Sequence, residues 1–215
     1  MKMHVKPLVV SPYEENCYLV WNEETSRGVV VDPGDEAPRI RAAIKAEKFE
    51  PEAILLTHAH SDHIGAVDLI RDEFEIPVYI GKGEEEALGD PEKNLSIMGG
   101  LEIKVRPADH LVEDGQLIEI AGMEFKVSST PGHSPASVCY HCGDVVFCGD
   151  VVFMGSIGRT DLPGCHFPSL MNSITTKILT LADETILYSG HGPMTTVGRE
   201  REFNPFLQGY APASS

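Results

Sequence analysis

Basic residues are scarce in this chain. Its 17 lysines and arginines face 33 aspartates and glutamates, a formal net charge of −16. Nucleic-acid binding rewards basic patches, so this balance argues against a polynucleotide partner. It argues equally against anionic membrane surfaces. Long apolar runs are missing too: no window reaches the ~18 apolar residues of a membrane span. The N-terminal run "PLVVSP" is short, broken by Pro12 and followed by Glu14 and Glu15, unlike the apolar region of a secretory leader. The expected location is the cytoplasm. Cysteine is sparse and odd in number, five in 215 residues, in a chain long enough to bury a core without staples. Free thiols in a reducing compartment are expected. Cys139 and Cys142 form a CxxC, but no second ligand pair completes a zinc knuckle. The segment "SVCYHCGDVVF" alternates like a strand entering a Gly143–Asp144 turn, so the pair reads as part of a hairpin. Linkers and low-complexity segments are absent as well, and residues 1–215 are expected to form one domain.

What the chain does contain is short strands interleaved with helices. "HVKPLVV", "NCYLVWN" and "RGVVVD" are rich in β-branched and aromatic residues, with turn residues between them. "EAPRIRAAIKAEK" spaces its apolar residues helically. "AILLT" is a short buried strand, "IGAVDLIRDEF" a helix and "PVYIG" another strand. "GEEEALGD" predicts a short helix and residues 88–100 a loop. Strands begin again with "LVEDGQLIEI", "MEFKVSST", "SVCYHC" and "DVVFCGD". The helix "FPSLMNSITTKILTL", the strand "TILYSG" and a last short helix in "GREREFNPFL" complete the pattern. Strands followed by helices in both halves predict an α+β fold, two sheets face to face with helices outside.

Four strand ends share one design. "AILLT" runs into His58, His60, Asp62 and His63; "FKVSSTPG" into His133; "DVVFCG" into Asp150; "TILYSG" into His191. Each is an apolar run, a small or turn residue, then a metal-binding side chain. Loops at one end of a rigid sheet are where sites are built, and glycine beside them permits close backbone approach. In extended chain, His58, His60 and Asp62 share one face. Asp62 also suits the start of the following helix. Any one of these residues alone reads as a packed histidine, a cap or a turn; four of them in six positions do not. Neutral imidazole and carboxylate are good ligands for zinc and other divalent transition metals. His4, His110 and His141 lack this context and are read as structural or surface residues. His166, beside the glycine-rich segment, has some prospect of reaching a substrate. Cys148 is expected to be a buried strand residue next to the site.

The motif "THAHSDH", followed in order by "TPGHSPAS", "VVFCGDVVF" and "YSGHGP", resembles the HxHxDH pattern of the metallo-β-lactamase superfamily. "NCYLV" and "VVVDPGD" resemble it too, so the likeness covers nearly the whole chain. It implies a four-layer αββα sandwich with a two-metal site. By position, His58, His60 and His133 would hold one metal, and Asp62, His63 and His191 the second, with Asp150 between them. The cofactors implied are two divalent metal ions, zinc foremost, with iron or manganese as alternatives. A cysteine ligand would point to a true β-lactamase; aspartate at position 150 points away from antibiotic hydrolysis.

Within the superfamily, "GSIGRTDLPG" and "GHGPMTTVGREREFNPFL" resemble the small glyoxalase II-like hydrolases, which cleave thioesters such as S-lactoylglutathione. The larger members carry a C-terminal helical domain forming part of the glutathione site, and this sequence is too short to include one. They also place a tyrosine where Asp161 stands. Arg159 keeps their basic residue, available to a substrate carboxylate or to Asp161; both are candidate substrate-binding residues. The implied chemistry is attack of an acidified water on a carbonyl, with Asp62 and Asp150 as the catalytic carboxylates. A thiolate leaves readily without a strong general acid. The expected partner is therefore a small acyl thioester. The rivals are a mononuclear iron persulfide dioxygenase, with His58, His133 and Asp150 as ligands, a lactonase, and a metal-binding module without turnover. The oligomeric state is left open.

Overall fold

A computed structural model describes residues 2–210. Among the described residues, fourteen strands and six α-helices follow one another. The first sheet contains β1 (Met3–Val10), β2 (Glu15–Asn22), β3 (Arg27–Val31), β4 (Glu50–Leu56), β5 (Val78–Gly81) and β6 (His110–Val112), in that spatial order. Strands β1 to β3 are antiparallel neighbours, and β3 to β6 run parallel. The second sheet contains β7 (Leu117–Ile120), β8 (Met123–Ser129), β9 (Val138–Cys142), β10 (Val145–Gly149), β13 (Ile186–Ser189) and β14 (Thr195–Thr196), ordered β14-β13-β10-β9-β8-β7. A small hairpin joins β11 (Val152–Phe153) to β12 (Ser156–Ile157).

Alternation within the strands produces the layers. Tyr18, Val20, Val29, Val31 and Leu55 meet Phe125, Val127, Tyr140 and Phe147 between the sheets. On the outer face of the first sheet, Leu19, Val30, Ile54 and Leu56 pack on Ile40 and Ile44 of α1 (Ala37–Glu47) and on Val67 and Ile70 of α3 (Val67–Phe74). On the outer face of the second, Val146 and Cys148 pack on Leu170 and Met171 of α5 (Phe167–Ser173). The order is helix, sheet, sheet, helix: the expected α+β, four-layer αββα sandwich. Because both faces of β2 to β4 are covered, these strands read as continuous apolar runs.

Three elements differ from their sequence patterns. "LVEDGQLIEI" is not one strand: it divides into β6 of the first sheet and β7 of the second. A turn at Asp114–Gly115 separates them, with Gly115 at φ 78°. "IGAVDLIRDEF" is interrupted. One helical turn, α2 (Ser61–Ile64), stops before α3 because the Ala66 amide donates to the Pro33 carbonyl rather than into the helix, at 3.0 Å. "FPSLMNSITTKILTL" begins as α5 but widens to a π-helical segment over Ile174–Ile178, with Leu179 N–H bonding Ile174 O at 2.9 Å. Thr175 and Thr176 donate their hydroxyls back to Met171 O and Asn172 O, competing with the regular ladder. "GEEEALGD" holds the short helix α4 (Glu85–Leu88), and loop 88–100 contains a 3-10 turn at Ser96–Gly99. The last helix, α6 (Val197–Phe203), is capped by Thr196, whose hydroxyl accepts from Arg199 N.

Cys139 and Cys142 lie on β9, three residues apart and therefore on opposite faces, one toward the helix layer and one between the sheets. They do not form a bridge. No described helix is long and apolar enough to cross a membrane.

Candidate metal centre

Strand direction brings the site together. Strands β8, β10 and β13 run the same way, so His133, Asp150 and His191 follow their ends along one edge of the second sheet. Strand β4 of the first sheet delivers Thr57 and the His58–His63 segment to the same edge. The sheets are laced there: Val138 N donates to Thr57 O at 2.8 Å, and Tyr140 OH to Leu56 O at 3.0 Å. Tyr18 OH and the Asn16 amide both donate to Ser189 O, at 2.6 and 2.9 Å, fixing the turn before His191. Glycines permit the approach. Gly149 sits at φ 48°, and a Cβ there would overlap Thr57.

All seven predicted ligands converge. Nε2 of His58, Nδ1 of His60 and Nε2 of His133 form one group, with His60 Nδ1 lying 3.1 Å from His58 and 2.9 Å from His133. Asp62, His63 and His191 form a second, in which His191 Nε2 lies 3.2 Å from Asp62 Oδ2. Asp150 touches both: Oδ2 is 3.3 Å from His133 Nε2 and 3.6 Å from His191 Nε2, and Oδ1 is 3.4 Å from His63 Nε2.

The outward ring nitrogens are anchored by acceptors, which fixes the tautomers. His133 Nδ1 donates to Arg159 O at 2.9 Å, and His191 Nδ1 to Tyr13 O at 3.0 Å. His63 Nδ1 donates to Asp32 Oδ2 at 3.1 Å. His58 Nδ1 donates to Thr57 Oγ1 at 3.1 Å, and that hydroxyl donates onward to Asp32 at 2.6 Å. Each of these four rings is left with its Nε2 aimed at the centre, the arrangement that orients metal-binding histidines.

The charge state agrees. Burial, then the neighbouring His63, His60 and His133, holds the His58 imidazole well below its ordinary value. Burial, then His133, brings His60 down to about 3. Burial also disfavours a charged His63, but Asp150 and Asp62 outweigh it and hold this ring well above the usual imidazole range. Burial acts against the Asp150 carboxylate too, yet His63 and His133 keep it well below the usual carboxylate range. Two buried atoms facing the centre, His63 Nε2 and Asp150 Oδ1, have no hydrogen-bond partner. An unpartnered imidazole nitrogen and an unpartnered carboxylate oxygen where the two groups meet fit a metal centre. A cation taken up here would displace the His63 proton, so loading releases acid.

Several residues of the site escaped the sequence reading. Asp32, in the "DPGD" turn, accepts from Thr57 N, Thr57 Oγ1 and His63. Glu84 is buried and joins two ligand loops: Oε1 accepts from Ser134 Oγ at 2.6 Å and Ala136 N at 2.7 Å, and Oε2 from Ala59 N at 3.3 Å. Glu15 is buried beside His63 with neither carboxylate oxygen hydrogen-bonded, and burial pushes its pKa well up. For Asp32, an aspartate directly after "VVV" was a usable signal. Nothing in "GEEEALGD" says which glutamate turns inward.

Arg159 lines the cavity over the cluster, and its guanidinium forms a two-bond pair with Asp161, at 2.8 and 2.9 Å. His166 instead bonds Ser169 Oγ at 2.8 Å and lines neither cavity beside the site. His4 stacks on Trp21 and His110 on Tyr79. Cys148 is buried against Ser189, its thiol pushed up to about 12 by burial.

The chain resembles known proteins over its full length. It is 42% identical over 212 residues to a probable metallo-hydrolase, YqgX, of Bacillus subtilis, covering 97% of this chain and 100% of that one. It is 33% identical over 209 residues to the hydroxyacylglutathione hydrolase GloC of Haemophilus influenzae, covering 95% and 98%. Among solved structures, BLEG-1, a B3 metallo-beta-lactamase, superposes with a TM-score of 0.93 at 46% identity, over 96% of this chain and 100% of that one. TTHA1623, solved in a di-iron-bound form, superposes with a TM-score of 0.81 at 38% identity, over 94% and 100%. The family model of the metallo-beta-lactamase superfamily matches residues 10–191, a span that contains every residue of the cluster. The chain belongs to the metallo-beta-lactamase superfamily.

Proposed function

We propose that this protein is a binuclear metallohydrolase that cleaves a small hydroxyacyl thioester, of which S-lactoylglutathione is the type. The observation that carries the reading is the convergence of five histidines and two aspartates in two groups that share Asp150. His58, His60 and His133 would hold one ion, and Asp62, His63 and His191 the other, with Asp150 between them. Divalent ions in such a pair supply Lewis acidity and lower the pKa of water toward neutrality. Asp62 lines the cavity and is partly exposed, placed to accept a hydrogen bond from the attacking water and aim its lone pair at the carbonyl. Water adds to the carbonyl carbon, the C–S bond breaks, and a carboxylic acid and a thiol result. The thiolate needs no strong general acid; among the described residues the cavity lining includes no lysine, and Tyr13 stands at its rim. The segment "GSIGRTDLPG" and the 33% identity to GloC support a thioester over other acyl compounds.

The 46% identity to BLEG-1 favours a second reading, hydrolysis of a β-lactam ring by the same machinery. One experiment separates them. Protein purified without added metal is analysed for metal content and then assayed on S-lactoylglutathione, a lactone, a β-lactam and glutathione persulfide, the last with oxygen uptake followed. Two metals per chain with thioester cleavage as the fastest reaction is the expected result. A faster β-lactam reaction, or a single iron with oxygen uptake on glutathione persulfide, overturns the proposal.

A further inference from the structure

Two cavities meet at His60. One, about 320 Å³, lies over the His/Asp cluster. The other, about 350 Å³, continues past His60 between the Gly83–Ala87 segment, the Glu92–Lys93 loop and the Ser134–Pro135 and Pro163–Gly164 turns. The two cavities share His60 in their linings and make up the cleft beside the cluster. A thioester must place its carbonyl over the cluster. A hydroxyacyl group is short, so the long half of the substrate, its thiol half, is the part that runs past His60.

The charges along that path are unfavourable to an anion. Over the cluster the rim is Tyr13, Leu95, Met98 and Leu162, with Arg159 as the cationic side chain. Both bonds of its fork go to Asp161. Such an exposed pair is weakly held, but its two charges still sum to zero for an approaching ligand. In the second cavity the cation is Lys93, and it pairs with Glu86. Glu84 and Glu92 add negative charge to the same wall, and Glu92 has no cationic partner among the described residues. Pro135, Pro163 and Ala87 supply apolar surface. Outside the His/Asp cluster, each cationic side chain of the cleft is thus matched by a carboxylate, and carboxylates are left over.

Resting on the thioester reading above, we propose that the substrate's thiol half carries no net negative charge, and that Asp161 and Glu86 set this preference by neutralising Arg159 and Lys93. An uncharged amide-bearing arm, or a cationic one, fits the apolar and acidic wall. A thiol bearing free carboxylates meets uncompensated like charge there.

The test compares two substrates of equal length on the metal-loaded protein: S-lactoylglutathione and its diamide, in which both carboxylates are carboxamides. The expected result is a kcat/KM about tenfold higher for the diamide, shrinking as salt screens the cleft. Asp161→Asn and Glu86→Gln each free one cation, and each should raise the ratio of anionic to diamide kcat/KM severalfold, the double variant more than either. Circular dichroism confirms that the variants are folded. Wild-type preference for the anionic substrate, or a ratio unmoved by both variants, overturns the inference while leaving thioester hydrolysis intact. Cleavage of neither thioester removes the hydrolase reading, and this inference with it.

Discussion

Asp150 is the residue on which the two halves of the site depend. Its carboxylate faces His63 on one side and His133 and His191 on the other. Replacing it with alanine removes the carboxylate that faces both groups and the negative charge that holds His63 protonated. Asp150→Ala is expected to lose bound metal and to cut hydrolysis by at least ~100-fold, with an unchanged circular dichroism spectrum, because the backbone of β10 is held by β9 and β13. Mass spectrometry of the native protein reads the outcome; two metals retained with full turnover would contradict the assignment. A second residue gives a prediction away from the site. Burial, then Lys126 and Lys177, lowers the His141 imidazole to about 4, while an unfolded chain has about 6.5. As pH falls through the unfolded value, the unfolded chain takes up a proton that the folded one refuses. The His141 contribution to stability is therefore full above about pH 6.5, falls between 6.5 and 4, and is absent below about 4. At pH 5 the loss is on the order of 2 kcal/mol. His141→Gln removes this titration, so its melting temperature should fall less than the wild type's between pH 7 and pH 5, by roughly 5 °C. Equal falls in the two proteins refute the role of His141.

At the scale of elements, the site is a set of strand ends held close by glycine. Gly190 follows β13, and a Cβ there would overlap Asp150 Oδ1 and come within 2.7 Å of His63 Cε1. Gly190→Ala must move both side chains, and is expected to weaken metal binding at least ~10-fold while the sheets remain formed. Metal titration of the variant measures this, and wild-type affinity would show that the cluster tolerates the shift. The same strand ends explain what the sequence made readable. Apolar runs closed by a glycine or threonine marked β4, β8, β10 and β13, and the polar side chains after them are the ones the fold brings together. The supporting carboxylates were less readable. Asp32 left a signal in "VVVDPGD", but Glu84 acts through long-range hydrogen bonds to Ser134 and Ala136, and local spacing carries no trace of such partners. The division of "LVEDGQLIEI" between two sheets was hidden for the same reason. Glu113–Gln116 interrupts its apolar residues, but a turn at Asp114–Gly115 fits a hairpin within one sheet as well as a change of sheets.

For the whole molecule, the cluster is a joint between the two halves of the sandwich. The first sheet brings His58, His60, Asp62 and His63, and the second brings His133, Asp150 and His191. Folding brings the 58–63 segment up to His133, Asp150 and His191, with His63 Nε2 and Asp150 Oδ1 left without hydrogen-bond partners. The unfolded chain keeps only the residues of the 58–63 segment near one another and has no comparable site. Metal therefore binds the folded state preferentially and stabilises it by mass action, about 2.7 kcal/mol at a free concentration 100 times the Kd. For a chain of this length that corresponds to roughly 5–10 °C in melting temperature. Chelation should lower the melting temperature by this amount, and restored zinc, iron or manganese should return it in proportion to the logarithm of metal concentration. Asp150→Ala, lacking the shared ligand, should melt near the chelated wild type and respond little to added metal. If chelated and metal-loaded wild type melt together while metal analysis shows different occupancy, the cluster does not couple metal to folding and the two halves are held by the inter-sheet core and its hydrogen bonds without help from metal.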